Sequence, residues 1–82
     1  MQNGAWTYFI QAGDGPVKIG RATDVAARLR ELQVGNPEKL KILCATKLLS
    51  EAQAHELFAE DRLRGEWFRP SEFLLNFALK MC

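Results

Sequence analysis

YFIQAGDGPVKIGRATDVAAR, residues 8–28, is the stretch on which the fold reading turns. Two short apolar runs, Tyr8-Phe9-Ile10 and Val17-Lys18-Ile19, flank the turn signal Gly13-Asp14-Gly15-Pro16. That pattern predicts a β-hairpin with a loop longer than two residues. Gly20 ends the second strand, and Thr23-Asp24 opens a helix that carries Arg28. Successive side chains of a strand face opposite sides, so Tyr8 and Ile10 share one face and Phe9 takes the other. Lys18 likewise faces away from Val17 and Ile19. Placing Tyr8 and Lys18 on the same sheet face brings a phenol and an amine together, beside a helix that offers a guanidinium.

On a helical wheel, Val25, Leu29 and Leu32 form an amphipathic stripe. Arg28 lies about 60° from Val25, at the edge of that stripe, and Arg30 about 140° away, toward water. Helix phase therefore selects Arg28 as the arginine held against the sheet. Thr23 is the expected N-cap, with Asp24 near the positive end of the helix dipole. Gly35-Asn36-Pro37 should end the helix, glycine supplying a left-handed cap.

These residues resemble the GIY-YIG nuclease superfamily, named for two short strand motifs that a helical arginine follows. Trp6-Thr7-Tyr8 stands where the family has Gly-Ile-Tyr, and Lys18-Ile19-Gly20 where it has Tyr-Ile-Gly. Arg28 falls at the family's arginine. Arg62 with Gly65-Glu66-Trp67-Phe68 is similar to a compact branch common in phage and bacterial genomes. The resemblance runs from about residue 5 to residue 78. It implies an α+β domain that hydrolyses DNA phosphodiester bonds with one divalent ion, Mg²⁺ or Mn²⁺, held by a helical glutamate.

The totals narrow the choices. Eighty-two residues make one small domain, 1–82. A hydrophobic fraction of 48% supports a core and excludes disorder. Eleven Lys and Arg against ten Asp and Glu leave a net charge of +1, so DNA contact must come from a local patch. Arg21, Arg62 and Arg69 are the arginines expected to touch nucleic acid, and Arg64 belongs to the same late cluster. The two cysteines, Cys44 and Cys82, match no disulfide framework or metal spacing and read as free thiols. No apolar run approaches the roughly 18–20 residues of a membrane span, and the amino terminus lacks a signal peptide's charged start. A soluble, cytoplasmic protein is expected.

Leu40 to Leu48 reads as a third strand. Ser50 and Gln53 form a capping box for a second helix from Glu51 to about Leu63, with Ala54, Leu57 and Phe58 buried and Asp61 at the stripe's edge. Gly65 should end that helix. A short extended piece, 66–69, precedes a last helix after Pro70-Ser71, with Phe73, Leu74, Phe77, Ala78 and Met81 on its apolar face. The expected order is β-β-α-β-α-α: a small antiparallel three-stranded sheet flanked by helices. Trp6 reads as core or as a platform beside the site.

Phosphodiester hydrolysis needs an activated water, stabilisation of added negative charge and help for the leaving oxygen. Tyr8 would serve as base or orient the water, its acidity raised by nearby cations. Lys18 would supply one of those cations and relay a proton. Arg28 would bind phosphate oxygens with its forked donors. For the acidic residue, alignment by eye leaves Glu51, His55 and Glu56 open. The wheel puts Glu51, Arg62 and His55 along one flank of the buried stripe and turns Glu56 toward water. Glu51 is then the expected metal ligand and His55 its catalytic neighbour one turn on. Glu66 and Trp67 would support the site from behind. DNA is the expected partner, with a homodimer or a larger DNA-processing protein as further possibilities. A catalytically weak nucleic-acid-binding module and a protein-interaction domain on the same scaffold are the alternatives.

Overall fold

The computed structural model describes residues 4–82. Met1, Gln2 and Asn3, on which the reading of the amino terminus partly rests, lie outside the described residues. β1 (Trp6–Ala12) and β2 (Val17–Ala22) form the hairpin. Its register sets Tyr8 opposite Gly20 and Ile10 opposite Lys18. Opposed residues of an antiparallel pair project to the same face, so Tyr8, Ile10, Lys18 and Gly20 share one side. α1 (Val25–Gln33) lies on that side. Its Val25, Leu29 and Leu32 pack with Tyr8, Ile10, Ala12 and Leu40. Asp24, rather than Thr23, caps it: the Asp24 carboxylate accepts from the Ala27 N–H at 3.0 Å. Gly35 follows the helix at φ +80, the left-handed conformation expected of it.

β3 (Leu40–Thr46) pairs with the other side of β1, with a register shift between Phe9 and Ile10. α2 (Glu51–Leu57) begins with the expected capping box of Ser50 and Gln53. The chain then departs from the expected course. α2 stops at Leu57, a 3₁₀ turn covers Ala59–Asp61, and β4 (Arg62–Arg64) and β5 (Trp67–Phe68) follow. α3 (Glu72–Met81) closes the chain. The sheet therefore has five strands, in the order β3-β1-β2-β5-β4, where three were expected. The fold class is α+β, as read.

Asp61 explains the early stop. Its backbone carbonyl accepts from the Arg69 N–H at 2.6 Å. Its carboxylate accepts from the Arg69 guanidinium and, at 2.6 Å, from the Ser71 hydroxyl. Ser71 also caps α3, its Oγ accepting from the Leu74 N–H at 3.1 Å. These bonds draw residue 61 toward the start of α3 and leave Arg62 to Arg64 to pair as a strand. Gly65 then serves the β4–β5 turn at φ +56, not a helix end. Leu57, expected in the core, is 43% exposed because the helix ends there.

The second face of the sheet carries the larger core: Phe9, Val17, Ile19, Phe58 and Phe68, with Ala54, Leu74 and Ala78 from the helices. Cys44 lies in this cluster and is bonded to Cys82, with Cα atoms 5.6 Å apart. The free-thiol reading is corrected here. The end of α3 lies against β3, a proximity that a 38-residue separation conceals. Of the two readings of Trp6, the core one is corrected: it is 37% exposed, with the Lys47 ammonium over its ring. Among the described residues no helix is long and apolar enough to cross a membrane.

The Ser71 hydroxyl, against the opposing effect of burial and with help from Arg69, holds the Asp61 carboxyl below its ordinary value. A carboxyl lowered on folding stabilises the fold above its unfolded value, and that stability is lost as pH falls through the folded value. Asp61→Asn should cost about 1–3 kcal/mol at pH 7. In urea unfolding, the gap from wild type should shrink as pH drops below about 4. A gap independent of pH would assign the loss to shape alone.

Candidate functional site

Gly20 lies beneath the Tyr8 ring. A Cβ on residue 20 would sit 2.5 Å from Tyr8 Oη, 2.7 Å from Tyr8 Cζ and 3.1 Å from Glu66 Oε1. Only the missing side chain leaves room for the phenol over β2 at this point. Tyr8 is buried. The Arg28 guanidinium donates to the phenol, and this bond, followed by the one to Glu31, holds Arg28 above its ordinary value. The Arg28–Glu31 contact is 3.0 Å across one turn of α1. Arg28 keeps part of its surface in water, and Arg30 is exposed, as the wheel required.

Glu66 joins the two sides of the site. Its carboxylate lies 3.2 Å from Lys18 Nζ. It also hydrogen-bonds the Glu51 carboxyl, which comes from α2 on the opposite face of the sheet. Burial, then the hydrogen bond and charge of Glu66, push the Glu51 carboxyl up, against the pull of His55 and Arg21. Burial also pushes Glu66 up, but the bonds with Glu51 and Lys18 outweigh it and hold Glu66 below its ordinary value. The two shifts are opposite, so of the pair Glu51 is the one that holds a proton more tightly.

His55 has a second task. Its Nε2 lies 2.9 Å from the Ile19 carbonyl and 3.6 Å from Glu51 Oε2. A carbonyl only accepts, so Nε2 carries the proton and donates. The Ile19 N–H donates to the Glu66 carbonyl at 2.9 Å. The peptide units around Ile19 are thus clamped between α2 and the β4–β5 turn. Arg21 is exposed on β2 and interacts with Glu51. Trp67 is half-buried, with Lys18 Nζ 5.4 Å from its ring centre.

The other expected residues stand apart. Arg62 is in β4 rather than on the α2 flank, and its Nε donates to the Gly65 carbonyl at 2.8 Å. Arg69 is engaged with Asp61. Glu56 is exposed, as helix phase implied. Sequence reading treated Gly20 only as a strand end and overlooked Glu31. The motif glycine facing a tyrosine, and an acid three residues past Arg28, were the available signals.

Among the described residues no group of three or more His, Cys, Asp and Glu could hold a metal ion. The local donor set is the paired carboxyls of Glu51 and Glu66, since His55 Nε2 is committed to Ile19. Two facing carboxylates fit a hard cation that keeps several waters and completes its shell with a phosphate.

Gly20→Ala tests the close approach. It should destabilise the fold by about 1–3 kcal/mol, because a buried ring has to move. Tyr8→Phe should relieve only part of that loss in the double variant, since Cζ remains in the way. Urea midpoints of the three variants are the measurement. A neutral Gly20→Ala would show that the phenol lies elsewhere.

The model of the T5orf172 domain family matches residues 5–81. A UPF0213 protein of Streptococcus sanguinis (strain SK36) is 44% identical over 39 residues, which are 48% of this chain and 45% of that protein. The chain thus matches less than half the length of this curated relative. No solved structure matches it. A match over nearly the whole chain shows the family: the protein belongs to the T5orf172 domain family.

Proposed function

We propose that this chain is a GIY-YIG-type, metal-dependent endonuclease acting on DNA. The observation that carries the reading is the convergence of Tyr8, Arg28, Lys18, Glu66 and Glu51 around the gap at Gly20. The T5orf172 match and the partial likeness to a UPF0213 protein are compatible with membership of the compact GIY-YIG branch of phage and bacterial genomes. In this reading the work is done in the cytoplasm, and a homodimer or a larger DNA-processing partner supplies site selection.

Each residue then has a task. Arg28 has five N–H donors, and Glu31 and Tyr8 leave several for the oxygens of the scissile phosphate. Tyr8 serves as base or orients the attacking water as the new oxygen–phosphorus bond forms. Lys18 relays a proton to the sugar oxygen as its bond to phosphorus breaks. Glu51 and Glu66 would hold Mg²⁺ or Mn²⁺, whose chemistry is to neutralise charge building on the phosphate. His55 positions the Ile19 carbonyl and orients Glu51. Arg21 draws the DNA backbone toward the site, with Arg62 and Arg69 as more distant phosphate contacts. A second reading, a nucleic-acid-binding module without turnover, is favoured by the lack of a three-ligand cluster among the described residues.

Nicking of supercoiled plasmid at high protein concentration tests the reading. Cleavage should require Mg²⁺ or Mn²⁺ and stop with EDTA. Arg28→Ala should lower the rate about 100-fold or more, the loss typical of a group that stabilises transition-state charge. Arg30→Ala and Glu56→Gln should be close to neutral. Glu51→Gln should abolish metal-dependent cleavage while leaving urea stability within about 0.5 kcal/mol of wild type, because the amide can still donate to Glu66. DNA binding without nicking under either ion would establish the second reading.

A further inference from the structure

One row of the sheet starts at Lys18 and extends past the site. β2 pairs with β5 so that Lys18 faces Trp67, and β5 pairs with β4 so that Trp67 faces Arg64. Lys18 and Trp67, opposed in register, share a face; Arg64, opposite Trp67 after a register shift from Arg62, lines the same pocket as Trp67, so the three form a cation–aromatic–cation row. Two strand spacings separate its ends, about 10 Å. α1 covers this face over β3, β1 and β2. Beyond it, Trp67, Leu63, Pro16, Gly65 and Arg64 line an open pocket of about 500 Å³. Leu63 is 54% exposed there, an apolar side chain on the wall of a recess that no acidic side chain lines. The neighbouring carboxylate, Glu66, is turned toward Lys18 and Glu51.

We propose that this pocket is a slot for one nucleobase of a single-stranded or frayed DNA strand, flanking the bond that is cut. This deepens the nuclease reading and rests on it. The base would stack on Trp67, wedged by Leu63 and Pro16. Arg64 would take the phosphate on its far side, and Lys18 would face the phosphate at the reaction centre. Aromatic stacking accepts any base, because every base has a π face, and cations at both ends suit an anionic backbone. The slot is continuous with the site through Lys18, which stands over the Trp67 ring. An unstacked base requires an open strand, so the favoured substrate is DNA with a single-stranded or frayed segment, not a continuous duplex.

The test uses the whole chain in a Trp6→Phe background, which leaves Trp67 as the one tryptophan. EDTA keeps any metal from acting. A short single-stranded oligonucleotide should quench Trp67 fluorescence. Moving one abasic residue along it should find a position that weakens binding roughly 10-fold. Arg64→Ala should weaken binding and lower the salt slope by about 1. Leu63→Ala should remove most of the abasic effect. Both residues are exposed, so both variants should fold, and circular dichroism checks this. Quenching with no abasic-sensitive position and an Arg64→Ala variant that binds like its parent would overturn the slot and leave the nuclease reading intact. No binding to any DNA would overturn both. A duplex that binds more tightly than the single strand would overturn the slot alone.

Discussion

The site depends on the missing side chain at residue 20. Tyr8 is held deep in the sheet by its neighbours on β1 and by α1. From there its hydroxyl reaches Arg28 across the place where a side chain of residue 20 would stand. The location follows from strand length. β5 has two residues and pairs with Val17 and Lys18 alone. Past Ile19, which bonds to the Glu66 carbonyl, β2 has no strand partner on that side among the described residues. Side chains from both faces of the sheet can meet around this open edge. Tyr8, Lys18 and Arg28 come from the α1 face, and Glu51 and His55 from the α2 face. Glu66, in the turn that begins β5, links them.

Linking the two faces has an electrostatic cost, and the charges around Glu66 offset it. Two partly buried carboxyls in contact repel each other when both ionise. The two groups shift apart, Glu51 raised and Glu66 lowered, and cations stand nearby: Lys18 beside Glu66 and Arg21 near Glu51. The same logic gives His55 its value. Its donated bond to Ile19 holds the strand whose next residue is the essential glycine, and its edge packs on Phe68 at 5.0 Å. Residue 55 acts on the site chiefly by holding its floor.

What could be read in the chain before folding was whatever local periodicity determines. Alternation in the first hairpin put Tyr8 and Lys18 on one face, and the α1 wheel separated Arg28 from Arg30. The Ser50–Gln53 box located the start of α2, and its phase turned Glu56 outward. The end of α2 was not legible. Arg62-Leu63-Arg64 has good helix propensity, and a glycine at 65 suits a helix terminus as well as a tight turn. The deciding interactions lie between Asp61 and residues 69 and 71, which compete with helix extension through tertiary bonds. The Cys44–Cys82 link was hidden for a related reason. Two cysteines carry no pairing information until the end of α3 is known to pack on β3. The joint between Glu66 and Glu51 was half visible: both were singled out, but their meeting depends on the pairing of β5 with β2, and the extended piece at 66–69 was read as lying outside a three-stranded sheet.

The modest net charge of +1 fits this arrangement. At physiological salt, exposed charges act over about 8 Å, so a phosphate responds to the side chains around it rather than to the chain's total. Glu31 and Glu66 neutralise part of Arg28 and Lys18 in the free protein, which keeps these cations ordered and oriented. The remaining donors of Arg28 and the exposed Arg21 and Arg64 face water. In the proposed reading, cations arranged in this way would grip DNA weakly along its length and more strongly where a strand opens and follows the row from Lys18 to Arg64. Recognition by local shape, with little long-range attraction, is what a small domain with nearly balanced charge can offer.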